Sequence, residues 1–277
     1  MSNMGPIGIF DSGYGGLTVF REIVSKLPQY DYVYLGDNAR VPYGTRSFET
    51  VYAYTNECVE KLFAMGCRLV VLACNTASAK ALRTIQQCDL PLYPDLRKVL
   101  GVIRPTTEVI GHYSRTRHVG ILATPGTVKS GSYPIEIEKF FPDITVYQQA
   151  CPLWVPLVEN NELDSPGAAY FVEKEIDRLL KQSGHIDTVV LACTHYPLLL
   201  PLIERFLPTH IHLLSQGELV ANSLVDYLHR HPEVESLCTT GGIIRFFTTD
   251  DASDFEKKAG IFYGQPVKAS ELKTLLI

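Results

Sequence analysis

The sequence predicts an α/β protein made of two pseudo-symmetric, doubly wound domains with mainly parallel sheets. One apolar, β-branched segment occurs twice, as Leu-Val-Val-Leu-Ala-Cys-Asn-Thr at residues 69–76 and as Thr-Val-Val-Leu-Ala-Cys-Thr-His at residues 188–195. Short apolar runs of this kind are typical of strands buried in a parallel sheet. A helical pattern follows each run, and a repeated strand–helix order favours parallel sheets.

Both copies of this segment stop at a cysteine, Cys74 in the first and Cys193 in the second. We therefore expect both thiols at the carboxyl ends of buried strands, near the start of a helix. Ligands of open α/β sheets bind at this edge. A helix amino terminus favours negative charge and lowers the pKa of a nearby thiol, so both cysteines are candidates for chemistry.

The first repeat begins with a strand at residues 7–11 that ends in Asp11. A glycine-rich turn at residues 12–16 and an amphipathic helix follow. The turn could bind an anion through its backbone N–H groups, or it could simply join a strand to a helix. It matches neither the Gly-x-Gly-x-x-Gly fingerprint nor a Walker loop, so a nucleotide site is only weakly indicated.

The remaining elements of the first repeat follow in order. They are predicted at residues 31–36 (strand), 47–65 (helix), 69–74 (strand), 76–87 (helix) and 99–103 (strand). Cys58 lies on the apolar face of the second helix and is interpreted as a core residue. Asn75 or Thr76 could cap the helix after Cys74, or face a ligand.

The second repeat follows the same pattern. Its strands are predicted at residues 119–124, 144–147, 188–193 and 211–214, with a helix within 166–182. Gly120 follows Gly8 by 112 residues and Cys193 follows Cys74 by 119, which indicates a duplicated unit.

A last strand-like segment at residues 243–247 is predicted to pack back on the first unit, which would make that domain discontinuous. The predicted first domain spans residues 1–102 and 213–277, and the second spans residues 103–212. The active site is expected in the cleft between them.

Composition narrows the class of protein. Hydrophobic residues make up 46% and charged residues 20%, as in ordinary globular proteins. The net charge of −5 and the lack of a Lys/Arg cluster argue against a nucleic-acid partner. No apolar run reaches the ~18 residues of a membrane span, and residues 1–6 lack a signal pattern. Seven scattered cysteines without a Cys-x-x-Cys pair predict reduced thiols in a cytoplasm.

Two matching thiols suggest a specific chemistry. If the related sheets face each other, Cys74 and Cys193 lie on opposite walls of one cleft and could invert a carbon centre as acid and base. A free thiol titrates near ~8.5, so neighbours must tune it. His195 lies two residues beyond Cys193, and Asp11 is in the layer of Cys74. The counterpart of Asp11 in the second repeat is Ala123, so the duplication is broken there.

Other interpretations of these residues stay open. A cysteine that ends a buried strand can be purely structural, Asp11 can cap the following turn, and His195 can be a structural histidine. Cys74, Asp11, Cys193 and His195 could also supply four ligands to Zn²⁺, although ligands on three separate strands lack the close pairs usual in zinc sites.

The chain resembles the glutamate racemase family over nearly its whole length, through five sequence blocks in order. They are Phe10-Asp11-Ser12-Gly13-Tyr14-Gly15-Gly16-Leu17-Thr18-Val19, Tyr34-Leu35-Gly36-Asp37-Asn38-Ala39-Arg40-Val41-Pro42-Tyr43-Gly44, Ala73-Cys74-Asn75-Thr76-Ala77-Ser78, Ala123-Thr124-Pro125-Gly126-Thr127-Val128 and Ala192-Cys193-Thr194-His195-Tyr196-Pro197-Leu198. The resemblance implies an isomerase that interconverts L- and D-glutamate without a cofactor. D-Glutamate would supply peptidoglycan synthesis, and so cell wall biogenesis and cell shape.

The resemblance also implies roles for individual residues. Cys74 would act on D-glutamate and Cys193 on L-glutamate, with Asp11 supporting the first thiol and Glu159 and His195 the second. The residues implied in glutamate binding are Asp11, Ser12, Tyr43, Gly44, Asn75, Thr76, Thr124, Thr194 and His195.

This set suits a dicarboxylate with one ammonium group. Hydroxyls, amides and helix-terminal N–H groups can hold carboxylates, and Asp11 could face the ammonium. Arg40 and Arg46 are near enough in sequence to be further candidates, and Glu162 is the rival of Glu159. No pyridoxal-lysine motif is evident, in agreement with a cofactor-free reaction.

The resemblance further implies a homodimer. Composition, apolar runs and cysteine usage predict a cytoplasmic protein without nucleic-acid or membrane partners. Three other functions remain as alternatives. The chain could be an aspartate racemase or a related two-cysteine isomerase or decarboxylase, a zinc enzyme, or a non-catalytic amino-acid binding protein.

Overall fold

Two parallel β-sheets organise the computed structural model, which describes residues 4–272. The strands are β1 (Ile7–Asp11), β2 (Tyr32–Gly36), β3 (Leu69–Leu72), β4 (Lys98–Gly101), β5 (His118–Ala123), β6 (Thr145–Ala150), β7 (Thr188–Ala192), β8 (His212–Leu214), β9 (Ile244–Thr248) and β10 (Ala269–Glu271). The larger sheet has the order β10-β9-β2-β1-β3-β4 and the smaller sheet β6-β5-β7-β8. All pairings between these strands are parallel, so the predicted α/β class is confirmed.

Helices connect the strands. They are α1 (Leu17–Lys26), α2 (Phe48–Ala64), α3 (Asn75–Lys80), α4 (Leu82–Thr84), α5 (Ile103–Thr107), α6 (Pro125–Ser130), α7 (Ser132–Phe140), α8 (Trp154–Glu159), α9 (Pro166–Leu180), α10 (Leu200–Phe206), α11 (Gly217–Arg230), α12 (Pro232–Glu235) and α13 (Ala252–Tyr263). Shorter 3₁₀ segments lie at Asn38–Arg40, Leu90–Leu92, Ile110–His112 and Tyr196–Leu199, and a π-helical segment at Ile85–Asp89. Between residues 4 and 272, no helix combines the length and the apolar character needed to cross a membrane.

The two sheets repeat one topology. The order β2-β1-β3-β4 in the first sheet corresponds strand by strand to β6-β5-β7-β8 in the second. The registers also match, because Gly8 of β1 pairs with Val70 of β3 while Gly120 of β5 pairs with Val189 of β7. The pseudo-symmetric arrangement predicted from the sequence repeat is therefore confirmed.

Helices cover both faces of the first sheet. Alternate residues of a strand face opposite sides. Ile7 and Ile9 of β1 belong to the same buried cluster as Phe20 of α1. Phe10, next to Ile9 and on the other face, belongs to the cluster that contains Leu62 of α2. This two-sided burial explains the unbroken apolar strands in the sequence and is the doubly wound arrangement.

The carboxyl-terminal part of the chain returns to the first sheet. Strand β9 pairs with β2, and β10 pairs with β9. The ring of Phe20 in α1 packs against Phe246 of β9 and Tyr263 of α13, at centroid distances of 6.0 and 5.6 Å. The domain limits predicted from the sequence remain a prediction. Strand β8 crosses the predicted limit at residues 212 and 213 and belongs to the second sheet as far as Leu214. Residues 1–3 and 273–277 lie outside the described residues.

The helix predicted over residues 76–87 is wrong as a single element. Helix α3 starts at Asn75 and ends at Lys80, and the chain continues through α4 and the π-helical segment. Ala81 and Ile85 are nevertheless fully buried. The helical spacing of buried residues therefore continues across the break in the helix. For this reason the sequence pattern does not reveal the break.

We predict that Phe20→Ala destabilises the protein by about 3–5 kcal/mol, because it removes a fully buried ring that joins α1 to the returning carboxyl-terminal segment. Ile261→Ala, at a position 52% exposed in α13, should change stability by no more than about 0.5 kcal/mol. Urea unfolding under reducing conditions, followed by far-UV circular dichroism and by emission of the single tryptophan, Trp154, measures both. Equal losses in the two variants would contradict this packing account.

Candidate functional site

Side chains from both sheets line one cavity at the carboxyl ends of the strands. Cys74 follows β3 and Cys193 follows β7, while Ser12 follows β1 and Thr124 follows β5. Strands β1 and β3 are neighbours in the first sheet, and β5 and β7 are neighbours in the second. From each pair the chain continues in opposite directions across the sheet. Open α/β sheets bind ligands at such a switch point. The cavity has a volume of about 100 Å³. A cavity that holds one water molecule needs a volume of roughly 10–15 Å³ on the same measure, so this cavity can hold a small organic molecule.

The structure brings the predicted site residues together. All except Asp11 line the cavity, namely Ser12, Tyr43, Gly44, Cys74, Asn75, Thr76, Thr124, Glu159, Cys193, Thr194 and His195. Both cysteines are buried, at 6% exposure each. Their placement follows from the matching strands, whereas the roles of the individual residues stay predictions.

Cys74 is both a cavity residue and the cap of α3. Its sulfur lies 3.4 Å from the backbone nitrogen of Ala77, which donates to it, and 3.4 Å from the hydroxyl of Ser12. Burial and the nearby charge of Asp11 raise the pKa of the Cys74 thiol to about 12, although these two hydrogen bonds oppose the rise. The sequence predicts a lowered pKa at a helix start; that effect is present here but is outweighed, so Cys74 is a neutral thiol at pH 7.

Asp11 is buried next to the cavity residue Ser12 but does not itself line the cavity. It is 1% exposed, and its Oδ2 accepts a hydrogen bond of 2.9 Å from the backbone N–H of Gly13. Its Oδ1 is buried without a hydrogen-bond partner among the described residues. Burial raises the pKa of Asp11, while the positive charge of His195 and the N–H groups of Gly16 and Gly13 act in the opposite direction.

Cys193 is linked to an acid–base pair. The Nδ1 atom of His195 lies 3.9 Å from the sulfur, and Nε2 lies 3.0 Å from Oε1 of Glu159. Burial alone would lower the pKa of His195, but hydrogen bonds and charge interactions with Cys193 and Glu159 raise it to about 10. His195 is therefore an imidazolium at neutral pH. The structure selects Glu159 as its partner, since the alternative Glu162 is exposed.

Close packing fixes the position of His195. A Cβ atom at Gly15 would lie 2.3 Å from Oγ1 of Thr194 and 2.4 Å from Nδ1 of His195, so only glycine fits there. The ring of Phe262 meets the imidazole edge-on at 5.3 Å. The helix expected near Cys193 starts later than predicted, because a turn and a 3₁₀ segment at residues 196–199 come first and α10 begins only at Leu200.

Hydroxyl groups join the two halves beside the cavity. Oγ1 of Thr76 lies 2.9 Å from Oγ1 of Thr124, which lies 3.1 Å from Oγ1 of Thr127. Thr124 also caps α6 by accepting the N–H of Thr127. These hydroxyls can rotate, so they can donate hydrogen bonds to a bound carboxylate.

Three polar residues near the cavity are already engaged elsewhere or lie outside its lining. The hydroxyl of Tyr43 donates to Asp37, so only its ring and backbone are offered to the cavity. Arg40 pairs with Asp37 and Glu57. Neither Arg40 nor Arg46 is among the described residues that line the cavity, so the idea that they hold a ligand there is not supported.

Charge in the cavity is correspondingly sparse. Among the lining residues in the described part of the chain, His195 alone carries a cationic side chain. Within residues 4–272, no three His, Cys, Asp or Glu side chains are grouped so that they could share a metal ion. The four residues of the zinc hypothesis therefore do not form a set of ligands.

Part of the lining is absent from the residues predicted from the sequence. The additional residues are Val41, Pro42, Thr45, Pro125, Cys151, Pro152, Val155 and Pro156. Val41, Pro42, Thr45 and Pro125 adjoin predicted residues, so the neighbouring motifs carried a signal for them. Cys151 and Val155 carried none, because an apolar residue facing a ligand looks the same in sequence as one facing the core.

Comparison with known proteins agrees with this geometry. The model of the Asp/Glu/Hydantoin racemase family matches residues 7–221. A glutamate racemase from Persephonella marina is 40% identical over 269 residues, covering 96% of each chain. Among solved structures, a glutamate racemase from Bacillus anthracis matches with a TM-score of 0.88 and 32% identity over 98% of each chain. One from Francisella tularensis in complex with D-glutamate matches with a TM-score of 0.85 and 28% identity, again over 98% of each chain.

We predict that His195 remains protonated at pH 8 and titrates near pH 10. A histidine in the unfolded chain titrates near ~6.5. The folded protein therefore keeps a proton that the unfolded chain loses, and the resulting stabilisation is complete below pH ~6.5 and is lost as the pH rises through about 10. Nitrogen-15 NMR of labelled histidine, with the signal identified by its loss in His195→Asn, measures the titration. Glu159→Gln should lower the titration point, and a neutral His195 at pH 8 in the parent protein would refute the assignment.

Proposed function

The chain belongs to the Asp/Glu/Hydantoin racemase family, and on that basis we propose that it interconverts L- and D-glutamate with Cys74 and Cys193 as acid and base. One observation carries the proposal: two cysteines that end equivalent strands of two related sheets line the same small cavity. Inversion of a carbon centre by two bases needs one group on each side of that carbon, and the duplicated topology supports such a pair because it ends one strand of each sheet in a cysteine.

The cavity suits glutamate through its neutral hydrogen-bond donors. Ser12, Thr76 and Thr124 present hydroxyls, and Asn75 presents a carboxamide. Hydrogen bonds from such groups to a carboxylate are charge-assisted and therefore stronger than bonds between neutral groups. Asp11, with one unpartnered carboxylate oxygen among the described residues, would favour the substrate ammonium.

The reaction balances with two protons and no redox change. Starting from L-glutamate, the thiolate of Cys193 takes the proton from Cα, and the electron pair of the broken C–H bond remains on the substrate. The neutral thiol of Cys74 then gives its proton to the opposite face of Cα, which yields D-glutamate. The enzyme is left with a Cys193 thiol and a Cys74 thiolate, the form that reacts with D-glutamate in reverse.

The neighbours of the two sulfur atoms suit this direction of the reaction. Burial raises the pKa of Cys74 to about 12, which keeps this thiol protonated as a proton donor. The imidazolium of His195, held by Glu159, would stabilise negative charge on the neighbouring sulfur of Cys193. Burial of both sulfurs keeps water from competing for the proton at Cα.

The cellular role follows from the product. D-Glutamate would enter peptidoglycan synthesis and so serve cell wall biogenesis and cell shape. All seven cysteines are free thiols, which supports a reducing cytoplasm as the compartment. We also propose a homodimer as the assembly, which light scattering coupled to size-exclusion chromatography would test against a monomer.

We predict that the wild-type enzyme racemises glutamate in both directions and that the product formed in D₂O carries deuterium at Cα. L-Aspartate should be a poor substrate. A chiral chromatographic assay with mass detection measures both properties. Turnover of aspartate alone would replace the substrate assignment with that of an aspartate racemase, and binding of glutamate without turnover would favour the binding-protein alternative.

Each cysteine variant should lose racemisation by about 10²–10⁴-fold, the usual contribution of a positioned acid or base. Cys74→Ser keeps the Cys193 thiol, so it should still exchange the α-hydrogen of L-glutamate with D₂O slowly, without inversion. Cys193→Ser should do the same for D-glutamate. Cys58→Ser, at a buried thiol outside the cavity, controls for the loss of a sulfur atom. Near-wild-type racemisation in either cavity variant contradicts the two-base scheme.

We predict that Gly15→Ala lowers kcat by at least about tenfold, because its Cβ would collide with Thr194 and displace His195. Gly184→Ala is the matched control, since a Cβ at Gly184 meets nothing within 4 Å. Steady-state kinetics in both directions and the urea midpoints of both variants separate a displaced site from an unfolded one. Unchanged kcat in a folded Gly15→Ala variant would show that the close approach is not needed for catalysis.

A further inference from the structure

Three buried side chains form a closed ring of hydrogen bonds next to the cavity. The Nε2 atom of Gln216 donates to the hydroxyl of Tyr133 at 2.7 Å, and this hydroxyl donates to Oδ1 of Asn75 at 2.8 Å. The ring closes where Nδ2 of Asn75 donates to Oε1 of Gln216 at 2.6 Å. All three residues are at most 3% exposed, so their polar groups have to find partners within the protein.

The ring could run in either direction if it were isolated. With both amides flipped, Asn75 would donate to Tyr133, Tyr133 to Gln216, and Gln216 to Asn75. The carbonyl oxygen of Val102 prevents this reversal. It lies 3.1 Å from Nε2 of Gln216 and can only accept, so a flipped Gln216 would place two acceptor oxygens against each other.

This carbonyl therefore sets the orientation of Asn75. With Gln216 fixed, its Oε1 must face Nδ2 of Asn75, and the hydroxyl of Tyr133 must face Oδ1. One hydrogen of Nδ2 is used by Gln216. The second has no acceptor among the described residues, and Asn75 lines the cavity.

We propose that Gln216 and Tyr133 are positioning residues that lock the carboxamide of Asn75, so that it presents an N–H group rather than its oxygen to a carboxylate of the substrate. The proposal rests on the proposed function for the identity of that substrate. A carboxamide oxygen turned toward a carboxylate would repel it, whereas an N–H donor binds it, so the direction of the ring changes the sign of this contact.

The ring also has a defined place in the chain. Val102 lies between β4 and α5, where the chain leaves the first sheet, and Gln216 lies between β8 and α11, where it returns. Oγ1 of Thr106 also lies 3.0 Å from Nε2 of Gln216, so the two hydrogens of this amide are shared among three oxygen atoms. Burial raises the pKa of Tyr133 well above its usual range, so its hydroxyl keeps the proton that it donates to Asn75.

Tyr133→Phe tests the proposal by opening the ring while keeping the aromatic volume. We expect KM for both enantiomers to rise roughly tenfold and kcat to change by less than about threefold, because a contact to the bound carboxylate is lost in ground state and transition state alike. Tyr32→Phe is the matched control, as it removes an equally buried hydroxyl, bonded to the carbonyl of Leu27 at 2.7 Å. An unchanged KM in Tyr133→Phe, or an equal rise in both variants, overturns the proposal.

A double-mutant cycle tests whether Tyr133 acts through Asn75. In an Asn75→Ala background, Tyr133→Phe should change KM by less than about twofold, because the group that it positions is gone. If the two effects multiply instead, Tyr133 supports the fold independently of Asn75 and the proposal is wrong.

Gln216→Glu adds a second measurement, the pH dependence of KM, which should not change if Gln216 has only a structural role. The introduced carboxyl group could still donate to the carbonyl of Val102 while it is protonated. Once ionised it could not, and it would draw the hydroxyl proton of Tyr133 away from Asn75. Burial raises the pKa of a glutamate side chain above its usual ~4.3, so the change should fall within the assay range of about pH 5–8. The ratio of variant to wild-type KM should rise with pH. A ratio independent of pH, in a folded variant, contradicts the role of Gln216.

NMR of the side-chain amide of Asn75 separates this proposal from the proposed function. The pair of amide signals, identified by their loss in Asn75→Ala, should exchange slowly with solvent in wild type and in Tyr32→Phe, but faster in Tyr133→Phe. This measurement needs no turnover. If wild type does not racemise glutamate, the proposed function fails, whereas unchanged exchange in Tyr133→Phe refutes the locked amide whatever the substrate is.

Discussion

The site depends on one geometric constraint, which is that the switch points of two parallel sheets open into the same cavity. In a sheet of order 2-1-3-4, the chain winds away in opposite directions from its two central strands, and a crevice opens at their carboxyl ends. This protein contains that order twice. The residues that follow β1, β3, β5 and β7 therefore meet at one place, and two thiols separated by 119 positions become neighbours of the same small space.

The duplication is broken where the chemistry requires a difference. Asp11 ends β1 and Ala123 ends the equivalent β5, so only the first half has a carboxyl group at this strand end. The first half has no counterpart of His195, because Thr76 occupies the equivalent position after Cys74. The two sheets thus place the two thiols at equivalent positions, while different residues after equivalent strands give the two thiols differently charged neighbours.

The fold and most of the residues that line the site can be predicted from the sequence because both depend on local patterns. Apolar runs located the buried strands, and the repeat around Cys74 and Cys193 predicted that the two thiols end equivalent strands. The role of Gln216 could not be predicted in this way. Its contacts with Asn75 and Val102 join positions 141 and 114 residues away in the chain, and nothing in the surrounding motif marks a glutamine as an orienting group. The direction in which the Tyr43 hydroxyl points was likewise hidden, since Asp37 accepts its hydrogen bond only in the folded chain.

Thermodynamics limits what the charge asymmetry can do for the proposed reaction. L- and D-glutamate have equal free energies in water, so their equilibrium constant is unity and kcat/KM must be equal in the two directions. Whatever His195 adds to proton abstraction by Cys193 is therefore matched in the reverse reaction, where Cys193 returns that proton. The asymmetry can divide differently between kcat and KM, but it cannot favour one enantiomer overall. Neutral donors such as the amide of Asn75 are suited to this constraint, because a carboxylate held by N–H and hydroxyl groups can stay in place while the configuration at Cα inverts.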